Sequence, residues 1–319
     1  MNEKRRINIT LSLNSKYMRY AYVMLTSLFE NQPDSLDIHV YLLHSDLTEE
    51  DRSHLGNLVK SYGGKVYWCP VDAEVFSANL PVSANWSLET YYRLLLVDIL
   101  PEDVERIIYL DVDIIINHSL EDLFFTDLDE KLLGACEDIN KPPFGDNRDA
   151  IFSEQIQNGF TYFCAGVMLL NIKELRGKYC FRDYMALAEK MDFKMAALDQ
   201  DLLNYMHWKE VKLLDGTKYS MFARSVYYFD NIHYDDAKKL GSIVHFIGRK
   251  PWEGQYIHYD IEQLWWDYAK LTPFYYELME EYIYNAVHDP VLLEEERRIH
   301  EELDNMRALC RRILAVAEK

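Results

Sequence analysis

Asp111 and Asp113 stand one residue apart in RIIYLDVDIIIN, at the end of an apolar, strand-like run. In a regular strand residues i and i+2 face the same way, so the two carboxylates would crowd like charges between apolar flanks. A hard divalent ion, Mn2+ or Mg2+, relieves that crowding and can bridge to phosphate oxygens. Two acids in a solvated loop are the plain alternative, and Asp-x-Asp alone is a weak signal. The apolar and aromatic residues before the pair, with Ile114, Ile115 and Ile116 after it, speak for a strand end instead. Phosphatases that use such a pair as nucleophile and general acid share the local pattern.

The segments that must position these acids alternate short apolar runs with longer helical ones. INITLSL (7 to 13), LDIHVYLL (36 to 43), KVYWC (65 to 69), RIIYLDV (106 to 112) and LLGACED (132 to 138) read as strands. A helix is expected from Tyr17 to Phe29, and another after Thr48, whose hydroxyl caps acidic first-turn residues before Gly63-Gly64. This β-α-β rhythm predicts an α/β fold with a mostly parallel sheet covered by helices. The stretch from Gly159 to Asn171 reads as a central strand, and SIVHFIG near Ile243 as a late strand able to complete a site begun earlier. Ligands of open α/β sheets sit beyond the carboxyl ends of the strands, where the acidic pair lies. Phosphatases resembling the haloacid dehalogenase superfamily open the chain with the acidic strand, whereas here a long β-α-β stretch precedes it.

Composition narrows the partners. With 319 residues, 49% of them hydrophobic, the chain can bury a large core. A net charge of −19 without Lys/Arg blocks argues against nucleic acid, and an anionic substrate needs a metal or local cations. The basic start MNEKRRINIT lacks a signal-like apolar region, no stretch is long enough to span a membrane, and the five scattered cysteines lack C-x-x-C spacing. These features predict a cytoplasmic protein with reduced thiols, with the inner face of the membrane left open.

Several motifs in order resemble glycosyltransferase family 8, the retaining group that includes bacterial lipopolysaccharide galactosyl- and glucosyltransferases and glycogenin-type enzymes. They are LNSKY (13 to 17), ETYYRLLL (89 to 96), IIYLDVDIII (107 to 116), LGACED (133 to 138), FCAGVMLLN (163 to 171), LDQDLLN (198 to 204) and VHFIGRKPW (244 to 252). The resemblance spans residues 7 to 255. It implies a glycosyltransferase A-type, Rossmann-like fold, a UDP-sugar donor, Mn2+ or a similar ion, retention of configuration, and a glycan or glycolipid acceptor.

Residue by residue, the resemblance makes Asp111 and Asp113, with Val112 between them, the acidic metal motif, and His245 the third ligand. A neutral imidazole suits Mn2+, although a His between Val and Phe is more often a core residue. Gly248 would let the backbone approach a diphosphate, and Lys250 would meet the departing phosphate. Tyr17 corresponds to an aromatic that stacks on uracil. Asn14 stands where many relatives carry an acid and Lys16 where they often have Asn, departures that bear on base selectivity. Arg93 matches an arginine near the diphosphate and sugar, against a default reading as a helix-surface residue. Around the anomeric carbon the resemblance points to Asp138, Cys164, Ala165, Asp199 and Gln200. Relatives commonly have Asn at the position of Cys164, so one sugar contact differs here. Capping of the helix after Leu198 is the rival role for Asp199.

Residues 1–255 are expected to form the nucleotide-sugar-binding catalytic domain and 256–319 a helical extension. The aromatic run from Tyr256 to Tyr284, with Trp265 and Trp266, reads as plain core, an acceptor platform or a membrane-surface face. Leu292, Ile299, Leu303, Met306, Cys310 and Ile313 form a narrow apolar seam that could pack on the body or pair two subunits. Besides the transferase, an Asp-nucleophile phosphatase and a non-catalytic sugar-nucleotide-binding module stay open at this point.

Overall fold

A computed structural model describes residues 4–76, 79–82, 87–254, 259–288, 294, 296–304 and 306–307. Strand β1 (Arg5–Ser12), helix α1 (Met18–Glu30), β2 (Leu36–His44), α2 (Glu49–Ser61) and β3 (Lys65–Pro70) form two successive β-α-β units. α2 starts as its sequence demands, with the Thr48 side chain accepting from the Asp51 N–H and the Asp51 carboxylate returning to the Thr48 N–H.

The main sheet has seven strands in the order β3-β2-β1-β4-β7-β6-β8, where β4 is Arg106–Leu110, β6 Leu133–Glu137, β7 Phe163–Asn171 and β8 Val211–Leu214. β7 runs antiparallel to both β4 and β6, while the other pairings are parallel. Alternate residues feed two cores. Ile108, Leu110, Val167 and Leu169 join the cluster under α1, while Ile107, Tyr109, Met168 and Leu170 join the opposite one. Burial on both faces explains why these strands read as continuous apolar runs.

A second sheet, which the sequence did not suggest, has the order β5-β10-β9, with β5 at Ile114–Ile116, β9 at Met221–Phe222 and β10 at Ile243–His245. β10 pairs antiparallel with β5, setting His245 opposite Ile114, and parallel with β9, setting it opposite Phe222. This sheet brings the late histidine to the early acids.

The aromatic run beyond residue 259 is core over Trp265 and Trp266, which corrects the platform and membrane-face readings for these two residues. Trp265 is fully buried, 5.0 Å from the rings of Trp252 and Trp266, and Trp252 stacks on Tyr20 of α1 at 4.2 Å. The helix Tyr275–Val287 is tied to α1 by Arg19 and the Tyr20 hydroxyl, both on Glu281. Of the C-terminal seam, Ile299, Leu303 and Met306 are exposed, while Leu292, Cys310 and Ile313 lie outside the described residues. No helix among the described residues is long and apolar enough to cross a membrane.

Because Trp265 is core, Trp265→Ala is expected to lower unfolding stability by about 3–5 kcal/mol. Urea denaturation checks this, and an unchanged midpoint would return the ring to the surface.

Candidate metal and donor site

β4 stops at Leu110, so the acids do not ride on a regular strand as the sequence reading assumed. They occupy the break between the two sheets, pinned on both sides. The Asp111 N–H donates to the Gly166 carbonyl at 2.8 Å, and the Asp113 carbonyl accepts from the Phe246 N–H at 2.9 Å. Val112, between them, is partly buried and packs against the core. One ligand atom each from Asp111, Asp113 and His245 lies within 4.8 Å of the others.

The floor of this cluster is Gly166. A Cβ there would fall 2.4 Å from His245 Cε1 and 2.7 Å from Asp111 Oδ2, so a side chain would crowd these two groups. A side-chain-free floor between a carboxylate and an imidazole, with a second carboxylate in the same cluster, fits a divalent ion. Sequence reasoning missed this role because it arises from β7 running antiparallel beneath the acids.

Cations flank both acids. Lys250 Nζ lies 2.5 Å from Asp113 Oδ2 and donates to the Phe246 carbonyl at 3.1 Å. Burial alone would raise the Asp113 pKa, but Lys250 and His245 override it and hold the carboxyl well below its usual range. For His245 burial acts downward, and Asp113, 3.3 Å from Nε2, outweighs it and pushes the imidazole up to about 10. Arg93 is buried, not a helix-surface residue, and pairs with Asp111 at 3.0 Å and Asp199 at 2.9 Å over the Tyr109 ring.

Asp199 does not cap its helix, Leu198–His207. That helix has no side-chain cap at Ala197, and it is Asp201 that accepts the Ala197 N–H, at 2.8 Å, and the Tyr162 hydroxyl, at 2.6 Å. Burial pushes Asp199 up to about 7, more than Arg93 draws it down, with the Asp111 charge adding to the rise. Gln200 is fixed at both ends: Oε1 accepts the Ala165 N–H at 2.9 Å and Nε2 donates to Asp138 at 3.1 Å. Asp138 also accepts from the Asn140 backbone and amide. Cys164 Sγ lies 4.0 Å from His245 Nδ1 and accepts the Gly166 N–H.

At the other end, Asn14 accepts the Tyr17 N–H at 3.1 Å and caps the turn Ser15–Tyr17, which leaves Lys16 exposed. Tyr17 is half-buried, and burial raises its hydroxyl pKa, with Lys250 opposing and Asp113 adding to the rise. Gly248 adopts φ +82 with open space where a Cβ would point, so its need is conformational.

This sheet order, with a metal-capable cluster at the break between two sheets, defines a glycosyltransferase of the A-type fold. Galactosyltransferase LgtC, solved with donor and acceptor sugar analogs, superposes with a TM-score of 0.70 at 25% identity, over 84% of this chain and 96% of that one. The sequence model of glycosyl transferase family 8 matches residues 8–255, and the chain belongs to that family. It is 31% identical over 212 residues to a protein of Haemophilus influenzae named as a glycosyltransferase, covering 66% of this chain but 62% of that relative's length. A lipopolysaccharide 1,3-galactosyltransferase of Salmonella typhimurium is 25% identical, over 77% of this chain and 73% of the relative. A lipopolysaccharide 1,2-glucosyltransferase of Escherichia coli is 26% identical, over 79% and 75%.

Gly166→Ala is expected to leave the circular dichroism spectrum intact and weaken Mn2+ binding by about 10–100-fold or more. Full-strength binding by that variant would show that the floor is not needed. Asp199 gives a pH prediction. Its folded pKa lies above its ordinary 3.8, so its stability contribution is complete below that value and lost as pH rises through about 7. Asp199→Asn should therefore lose less stability than the wild type between pH 5 and pH 8 in urea titrations, and equal losses would refute the shift.

Proposed function

We propose that the chain transfers a hexose, galactose or glucose, from a UDP-sugar to a glycan, lipopolysaccharide or other cell-surface acceptor, with retention of anomeric configuration. The observation that carries this reading is the convergence of Asp111, Asp113 and His245 over Gly166, beside Lys250 and Arg93. Mn2+ or Mg2+ held by those three ligands would neutralise the carboxylates and supply Lewis-acid stabilisation of the leaving diphosphate. Arg93 keeps Asp111 in place, and Lys250, resting on Asp113, is the cation placed to turn toward a phosphate. Tyr17 offers a ring to the base, with Asn14 shaping the turn that presents it.

The polar pair Gln200 and Asp138 orients the sugar. The Gln200 carbonyl oxygen is already engaged by the Ala165 N–H, and the Asp199 carboxylate by Arg93. Neither is offered as a covalent nucleophile, which supports front-face attack with the departing diphosphate as base, and positioning as the work of these side chains.

Incubated with Mn2+ and UDP-galactose or UDP-glucose without acceptor, the chain is expected to release UDP slowly. Chelation should stop the release, and Asp113→Asn should lower it at least about 100-fold and remove donor binding. Undiminished UDP release by Asp113→Asn, or in EDTA, overturns the site assignment.

A further inference from the structure

The His245 ring has two nitrogens in different surroundings. Nε2 lies 3.3 Å from Asp113 Oδ1 and faces the acids. Nδ1 points the other way, to the Ser220 hydroxyl at 3.4 Å and Cys164 Sγ at 4.0 Å. Ser220 and Cys164 are both buried. Ser220 ends the short helix Gly216–Tyr219, where its N–H donates to the Gly216 carbonyl, and leads into β9. Since β9 runs parallel to β10 with Phe222 opposite His245, the sheet itself delivers the hydroxyl to the hidden side of the ring.

A neutral imidazole that ligates through Nε2 must carry its proton on Nδ1. Buried without an acceptor, that N–H would lose the hydrogen bond it makes to water when exposed. A hydroxyl oxygen is a better acceptor than a thiol sulfur, and this sulfur already takes the Gly166 N–H at 3.4 Å. The Ser220 contact is long, as such contacts often are before a site is loaded.

We propose that Ser220 is a positioning residue that accepts the Nδ1–H of His245 and so fixes the tautomer presenting Nε2 to a divalent cation, with Cys164 as a weaker support. This rests on the reading of Asp111, Asp113 and His245 as a metal site. The residue touches neither substrate nor cation, and its effect is carried by the imidazole.

The test is Mn2+ titration of the full chain, followed by the electron paramagnetic resonance signal of free Mn2+. Ser220→Ala is expected to raise the Mn2+ Kd by about 10–100-fold, the usual effect of losing the partner of a ligating histidine. Without metal it should keep the wild-type circular dichroism spectrum and a cooperative unfolding transition lowered by no more than the loss of one buried acceptor, which general damage to the fold would not allow. Ser220→Thr, which keeps the hydroxyl, should bind near the wild-type level, and Cys164→Ala should lose less affinity than Ser220→Ala. Wild-type affinity in Ser220→Ala, or a larger loss in Cys164→Ala, overturns the proposal. A wild-type chain that binds no Mn2+ sinks the metal reading itself and the proposal with it.

Discussion

The constraint on which the site rests is the repulsion between two carboxylates held one residue apart in a half-buried break. Two unit charges 4 Å apart interact by about 4 kcal/mol in surroundings of intermediate polarity, far more than one hydrogen bond returns. The chain offsets this with a cation on each acid, Arg93 on Asp111 and Lys250 on Asp113, and with the imidazole of His245. Arg93 comes from one part of the sequence, and His245 and Lys250 from the single segment 244–252, far from both the arginine and the acids. The two charges are therefore offset only when the 3-10 helix Leu88–Leu95 carrying Arg93, the small sheet carrying His245 and the loop carrying Lys250 are all in place. A divalent ion would meet the same need with one particle, which ties binding at this spot to the order of the whole neighbourhood.

β7 makes that neighbourhood one unit. Over three residues its backbone and side chains touch four of the site residues: Cys164 lies against His245, Ala165 accepts from Arg93 and donates to Gln200, and Gly166 accepts from Asp111. Gln200 in turn reaches Asp138. Leu198, just before Asp199 and Gln200, has φ +53, a left-handed conformation unfavourable for leucine. The Ala197 N–H bonded to Asp201, which is braced by the Tyr162 hydroxyl, holds the helix start around that residue. Strain kept at the start of a helix that presents two polar side chains is consistent with selection for placement over local stability.

Strands β1, β2, β3, β4, β6, β7 and β10 and the Thr48 cap of α2 were legible in the sequence because their signals are local, short apolar runs and a hydroxyl before acidic residues, whereas the short β5, β8 and β9 were not. The acidic pair was legible as a motif, though the assumed reason, a regular strand with i and i+2 on one face, does not hold, since β4 ends before Asp111. Gly166 and Ser220 gave no sequence signal because their surroundings exist only after β7 turns antiparallel and β9 pairs with β10. The residues alone left a helix-surface place for Arg93 and a capping role for Asp199 open, and burial in one ion pair excludes both. A buried pair joining residues so far apart leaves no periodicity to read.

The aromatic cluster shows how the two ends of the proposed donor site are coupled. Tyr17, at the base end, packs edge-on against Tyr20, and Tyr20 stacks on Trp252, two residues beyond Lys250 at the phosphate end. Trp265 backs Trp252, and Trp266 donates from its indole N–H to the Pro251 carbonyl at 3.2 Å. The loop that carries Lys250 is thus clamped between α1 and the residues beyond 259. Residues beyond 259 therefore help to hold the cluster of acids and cations in place. The same ring contacts that stabilise the fold thus fix the backbone from which the Lys250 side chain reaches Asp113.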